Sequence, residues 1–156
     1  MIGLHDKARH YALKLLSYRG RSEKELKERL KKKGFTKNVA SSTVNHLKHI
    51  GLIDDRALAE TLKREALKTK LLSQNGAGRF MLNRCIPREI VDMVFSQNEN
   101  EDIENAGKLV DKKLKAYRDY SPETAKRRLH NLLLRRGYSI ETIMTVLKDK
   151  TLKEED

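Results

Sequence analysis

Residues Ser22–Asp55 read SEKELKERLKKKGFTKNVASSTVNHLKHIGLIDD, and the way this stretch divides decides the fold expected for the rest. Ser22 followed by Glu25 has the form of a capping box, in which the hydroxyl accepts the N3 amide and the carboxylate reaches back to the N-cap amide. Leu26, Leu30 and Lys33 then fall on one helical face. Glu23–Lys27, Glu25–Arg29 and Glu28–Lys32 are i,i+4 pairs in the favourable orientation, each contributing roughly 0.2–0.5 kcal/mol on an exposed helix. Gly34 stands where a left-handed C-terminal cap is wanted, because it has no Cβ to clash at positive φ. Phe35 supplies the apolar anchor after that turn. A second amphipathic segment carries Val39, Ala40, Thr43, Val44 and Leu47 on one face. Gly51 stops it, and Asp54 or Asp55 can cap the helix that follows.

Composition agrees with a helical reading. The chain has 156 residues, of which 36% are charged and 5% aromatic, with no Trp and two Pro. Such a chain favours helices with a narrow Leu/Ile/Val seam over a β-protein, which needs more β-branched and aromatic residues. Net charge is +12 and uneven. Residues 1–51 hold 13 Lys and Arg against 4 Asp and Glu, a net of +9; residues 52–102 hold 8 against 9; residues 103–156 hold 13 against 9. The basic first third suits phosphate or an acidic protein surface, with a solvated helical face as the plainer alternative. Cys85 is the single cysteine, which rules out an intrachain disulfide and a zinc cage of cysteines. Neither a signal peptide nor a membrane-length apolar run is present, so the expected setting is the cytoplasm.

Taken in order, Asp6 can cap a first helix with Ala8, Tyr11, Ala12, Leu15 and Leu16 inside, ending at Arg19-Gly20-Arg21. After Asp54-Asp55, a helix with Ala57, Leu58, Leu62, Ala66 and Leu67 inside is expected to reach Leu71 or Leu72. Ser73-Gln74-Asn75-Gly76 has turn chemistry, and a short segment then brings Ala77, Phe80 and Met81 inward. That segment must stop at Cys85-Ile86-Pro87, because the residue before a proline is pushed out of the α region. Ile90, Val91, Val94 and Phe95 face inward next, and 96–100 reads as a linker. Ile103, Ala106, Leu109, Val110, Leu114 and Tyr117 mark another inner face. Ser121-Pro122-Glu123 is a strong helix start, followed by Leu129, Leu132 and Leu133 up to Arg136-Gly137-Tyr138. Ser139 caps a last helix with Ile140, Ile143, Val146 and Leu147 inside, and 151–156 is expected to fray.

Three junctions align: Lys33-Gly34-Phe35, Arg84-Cys85-Ile86 and Arg136-Gly137-Tyr138, stepping by 51 and then 52 residues. Four residues before each junction residue stand Leu30, Met81 and Leu133; eight before stand Leu26, Ala77 and Leu129; ten after stand Val44, Phe95 and Leu147. A fixed period of this length reads as tandem supersecondary units, placed at 1–51, 52–100 and 101–150, with a bundle of similar helices as the alternative. If the middle junction is left-handed, Cys85 there carries strain on the order of 1 kcal/mol. An inert small apolar residue is the plainer reading of that thiol, and a reactive one the sharper.

Ser22-Glu23-Lys24-Glu25-Leu26, Leu30 with Lys33-Gly34-Phe35, Gly51-Leu52-Ile53-Asp54-Asp55-Arg56, and Arg127–Leu133 with Arg135-Arg136-Gly137-Tyr138 resemble the RecX regulatory proteins of bacteria, over roughly Ala8–Leu147. The middle unit departs: Cys85 replaces the usual Gly, Asn75–Gly78 loosens a helix, and Ala57 and Leu58 stand where an aromatic is common. The resemblance implies an all-α, elongated and curved array of three three-helix repeats. It also implies a cytoplasmic modulator that binds the RecA–DNA nucleoprotein filament and restrains its ATPase, extension or strand exchange; a monomer with weak DNA binding of no sequence preference is expected.

No catalytic group, cofactor or metal site is expected. His46 and His49 are one helical turn apart but lack an acidic or thiol partner nearby, and Gly76-Ala77-Gly78 lacks the Lys-Ser/Thr of a phosphate loop. The candidate contacts are basic. Arg21 precedes an outward stripe of Lys24, Lys27 and Lys31, while Lys32 and Lys33 can serve the helix dipole. A second set is Lys126, Arg127, Arg128, Arg135 and Arg136, whose guanidinium groups can bind phosphate or carboxylate through paired hydrogen bonds. Two rivals remain: a sequence-reading helix-turn-helix protein built on pairs such as Ser22–Leu47, and a scaffold whose complex contains no nucleic acid.

Overall fold

The computed structural model describes residues 2–95 and 101–154, with side chains to residue 150. The linker expected at 96–100 lies outside the described residues, as do the side chains of the expected tail at 151–156. The chain is all-α among the described residues. Helices α1 (Leu4–Tyr18), α2 (Glu23–Lys33) and α3 (Lys37–His49) form the first group. Then come α4 (Asp55–Arg64), which runs into a π-turn at Glu65–Thr69, α5 (Gln74–Asn83) and α6 (Arg88–Val94). The last group is α7 (Asp102–Leu114), α8 (Pro122–Arg135) and α9 (Ile140–Glu154). Two compact units result: Met1–Thr61 with Met81–Val94, and Leu62–Phe80 with Phe95–Asp156.

The first unit closes around Ala8, Ala12, Leu26, Leu30, Ala40, Val44, Leu47 and Ile53, with Tyr11, Leu15, Leu16 and Phe35 packed at the margin. The second holds a cluster of Ala106, Leu109, Val110, Leu129, Leu132, Leu133, Tyr138, Ile143, Val146 and Leu147, and a smaller one of Ala66, Leu67 and Ala77 under Leu72, Phe80 and Phe95. The 3.6-residue periodicity therefore places most of the core correctly. It errs at the first turn of helices. Ile103 and Ile140 are exposed, and on α4 it is Ala59 that is buried while Ala57 is open to solvent.

The three junctions are the same turn. At Gly34, Cys85 and Gly137 φ is +113°, +62° and +93°. In each, the next residue donates its amide across the helix end to the residue four before the junction: Phe35 N to Leu30 O (3.1 Å), Ile86 N to Met81 O (3.2 Å) and Tyr138 N to Leu133 O (3.1 Å). This is the Schellman arrangement, which satisfies carbonyls that the helix leaves without donors. Cys85 thus occupies a left-handed site without being glycine. We expect Cys85→Gly to raise the unfolding free energy by up to about 1 kcal/mol, read as a higher urea midpoint; a lower midpoint would show that packing of the half-buried thiol outweighs the backbone term.

Two further devices recur. The aspartate that begins the first helix of each following group caps the second helix of the group before it: Asp55 Oδ1 accepts Glu23 N (2.9 Å) and Asp102 Oδ1 accepts Gln74 N (2.9 Å). Asp54 instead caps its own helix, accepting Ala57 N at 3.1 Å. So the Asp54-Asp55 pair divides its work between two helices. Burial pushes the Asp55 carboxyl above its ordinary pKa. Burial would do the same to Glu23, but Lys27 and Lys48 outweigh it and leave that carboxyl below the usual range. The residue before each later junction clamps an earlier loop. Arg84 Nη2 donates to Gly20 O (3.1 Å), and Arg136 Nη1 donates to Lys70 O.

Sequence and structure part at three places. Glu25 does not reach back to the N-cap amide: Ser22 Oγ accepts Glu25 N (3.1 Å), but Glu25 Oε1 takes Arg19 and Arg21. Ser73–Gly76 is no turn. Ser73 caps α5 by accepting Gly76 N at 2.9 Å, and Gly76 lies inside the helix. Its lack of a side chain is used there, since a Cβ would sit 2.4 Å from Arg136 O. The helix from Asp55 does not stay α to Leu71. It widens at Glu65–Thr69, with Lys70 N bonding Glu65 O and Leu72 N bonding Ala66 O, and Leu71 turns left-handed at φ +52°. The buried Asn105 amide donates to Leu67 O (3.1 Å) within that widened turn.

Candidate interface: the cationic faces of α2 and α8

Helix α2 buries Glu25, Leu26 and Leu30 on one side. Residues 24, 27 and 31 share the opposite side, by the 100° step of the helix. Lys24 and Lys31 are exposed there. Lys27 is half-buried, with Nζ 3.2 Å from Glu23 Oε1, and Lys48 approaches the other oxygen of Glu23 at 3.4 Å. The stripe is therefore continuous and supported at one end by a single carboxylate. Pairs that water still reaches contribute about 0–1 kcal/mol, so Lys27 can leave Glu23 for an incoming anion at little cost.

Arg21 is not on that stripe. Only 9% exposed, it holds Glu25 Oε1 at 2.8 Å through Nη1 and reaches Leu15 O at 3.3 Å through Nε. Its role is to tie the end of α1 to the start of α2. Arg19 Nη2 joins the same oxygen at 2.7 Å. Lys32 is exposed at the helix end, and Lys33 Nζ lies 5.5 Å from the centre of the Tyr11 ring.

Helix α8 turns Leu129, Leu132 and Leu133 inward. Arg127 points away from that face, Arg128 and Arg135 share one flank, and Lys126 sits on the other, all four exposed. Arg128 is oriented by Tyr120, its guanidinium carbon 4.4 Å from the ring centroid. Arg136 is half-buried and engaged with Lys70 O, while its own carbonyl accepts Ser73 N at 3.1 Å. Beside it the Tyr138 hydroxyl donates to Leu71 O at 2.6 Å, and burial, with Asp102 nearby, raises its pKa well above that of a free phenol. The 70–73 segment is thus gripped by Arg136, Gly137 and Tyr138 together.

Sequence reasoning separated these roles poorly, because an arginine that clamps a carbonyl and one that waits for a phosphate look alike in a list of residues. A signal was present. Arg84 and Arg136 occupy the same place one residue before their junctions, and such recurrence argues for a repeated structural contact. Among the described residues, no group of three or more His, Cys, Asp and Glu is placed to hold a metal ion. His46 lines a shallow depression with His5 and Arg9. Among the described residues, no helix is long and apolar enough to cross a membrane.

Known proteins supply the remaining evidence. Residues 8–47 match the model of the first three-helix domain of RecX, and residues 99–147 match that of the third three-helix domain of RecX. The two matches together span more than half of the chain. Regulatory protein RecX of Amycolatopsis mediterranei is 28% identical over 147 residues, covering 94% of this chain and 84% of the relative. That of Bacillus cereus is 31% identical over 151 residues, covering 96% of this chain and 55% of a longer relative. The crystal structure of RecX from Lactobacillus salivarius has the same fold, with a TM-score of 0.74 at 23% identity over 95% of this chain and 97% of that one. A second crystal structure of a regulatory protein RecX superimposes with a TM-score of 0.75 at 25% identity, covering 93% of this chain and 73% of the other. Matched at its first and third three-helix domains, and alike in fold to relatives that bear the name, this chain belongs to the RecX family of regulatory proteins.

Proposed function

We propose that this protein binds the RecA–DNA nucleoprotein filament and restrains its ATPase, extension and strand exchange, acting in the cytoplasm as a monomer with no catalytic chemistry of its own. Family membership supports the choice of partner. The observation that carries the mode of contact is the row of Lys24, Lys27 and Lys31 on the side of α2 away from the core. Of three repeats, at 1–51, 52–100 and 101–150, the first and the third present such faces, on α2 and α8. By lying across adjacent recombinase subunits they bridge them and resist the change in filament geometry that turnover requires. Lys126, Arg127, Arg128 and Arg135 form the second contact set. Arg21 and Arg136, already committed inside the fold, take no part. On DNA alone the binding is weak and indifferent to sequence, since cations on helix faces meet phosphate without reading base edges.

The test is the RecA ATPase on single-stranded DNA, titrated with the wild-type protein and with a Lys24→Glu/Lys27→Glu/Lys31→Glu variant. Reversal of the stripe is expected to raise the concentration needed for half-inhibition by about tenfold, near 1.4 kcal/mol. If phosphates are the partner, the slope of log affinity against log salt also becomes shallower by about 2. Unchanged inhibition would remove the stripe from the mechanism. A large specific-to-non-specific ratio on duplex DNA would make the protein a sequence reader instead.

A further inference from the structure

The second unit contains an apolar groove that shares one residue, Lys126, with the second cationic set. It opens where the α7–α8 connection leaves the helices, has a volume of about 270 Å³, and is floored by Val110, Leu114, Leu129 and Leu147. That volume falls just below the roughly 300–1,000 Å³ of small-molecule pockets. It suits one or two large apolar side chains better than a cofactor.

The groove follows from the local sequence. Seven residues, 115–121, join α7 to α8, whereas four, 19–22, join α1 to α2. Counting back twelve residues from the junction glycines Gly34 and Gly137 pairs Ser22 with Ala125. Ser22 is fully buried beside the Arg21–Glu25 pair. Ala125 is only half-buried and lines the opening. The connection in the second unit is longer, and among its described residues no arginine–glutamate pair corresponds to Arg21–Glu25.

We propose that this groove docks an acidic, amphipathic peptide segment of a protein partner, with an apolar anchor on the aliphatic floor. Charge decides the polarity of that partner. Arg118 and Lys126 stand exposed at the lip with no acidic partner among the described residues, while Lys150 is held by Asp111 at 2.6 Å. Among the described residues no carboxylate lines the groove: Asp119, on the connection, and Glu123, in the first turn of α8, are not part of its lining. A single-stranded nucleic acid would want open aromatic faces for its bases. Here Tyr117 and Tyr120 are turned on each other edge-on, 5.7 Å apart at 72°, and Arg128 covers Tyr120. Aliphatic carbon is what the groove offers, and a leucine or phenylalanine flanked by carboxylates is what fits.

The inference is independent of RecA, and its test contains none. A displayed library of short random peptides is selected on the intact protein, and the enriched peptides are measured by fluorescence anisotropy. Enrichment of Asp and Glu around Leu, Phe or Met is expected. Affinity should fall by about tenfold, or 1.4 kcal/mol, both in Ala125→Trp, which fills the groove, and in Arg118→Glu/Lys126→Glu, which reverses its lip. The second variant changes exposed positions only, so it remains informative if the tryptophan disturbs packing. Selection no better than a bare support, enriched peptides without acidic character, binding that ignores both variants, or displacement of the peptide by oligothymidylate would each overturn the proposal.

Discussion

Gly137→Ala is expected to cost about 3 kcal/mol of unfolding free energy, the sum of a left-handed backbone term of roughly 1–2 kcal/mol and an overpacking term of roughly 1–3 kcal/mol. At φ +93° an added Cβ would lie 2.6 Å from Ser73 Oγ and 2.8 Å from both Gly76 Cα and Gly76 N. These neighbours cannot retreat. Ser73 Oγ caps α5 through Gly76 N, and Ser73 N bonds Arg136 O. Gly34→Ala is the matched control, with φ +113° but nothing within 4 Å of its Cβ position. It should lose only the backbone term, about 1 kcal/mol. Urea unfolding followed by helical circular dichroism separates the two. Equal losses would mean that α5 and the third junction yield to one another more readily than this geometry allows.

Glu25→Gln comes next, with an expected loss of about 3 kcal/mol, because breaking one side of a buried ion pair leaves the other charge without compensation. Side-chain exposure is 8% for Arg21 and 11% for Glu25, so water cannot readily replace the lost carboxylate. Lys27→Ala provides the contrast. It removes an ion pair to Glu23 whose partners are 32% and 24% exposed, and a change below about 1 kcal/mol is expected. Replacing Arg21 and Glu25 together by leucine should recover much of the loss, since apolar pairs of similar volume often serve as well as a buried ion pair. If the double variant is no better than Glu25→Gln alone, the site is held by shape and not by charge compensation.

Both predictions concern residues whose partners lie outside their own helix, and that explains how far the chain could be read in advance. Most helix starts, the left-handed junctions at Gly34 and Gly137 and most of the apolar faces are set within one or two turns, so local pattern was enough for them, whereas the conformation at Cys85 stayed open. The Lys24–Lys27–Lys31 stripe was legible for the same reason: once Leu26 and Leu30 are buried, the far side of the helix is fixed by its pitch. Arg21 and Arg136 were not separable from the exposed cations. Their fate depends on Glu25 and Leu15 in one case and Lys70 in the other, and the second of these lies 66 residues away. The turn chemistry of Ser73–Gly76 was likewise correct locally and wrong in place, because the glycine admits Arg136 O to the helix surface.

The order of helices, the serine caps at Ser22, Ser121 and Ser139 and the fifty-residue period were determined by the sequence alone, because such a cap, a turn and an amphipathic stripe each involve atoms a few residues apart. Tertiary structure decided which charges are used up inside. Asp55 and Asp102 reach back to amides of earlier helices, Arg84 and Arg136 clamp earlier loops, and Arg21 closes on Glu25. It also left an apolar groove open beside the α7–α8 connection. Burial of a charge depends on what meets it, and no pattern along a single helix contains that information.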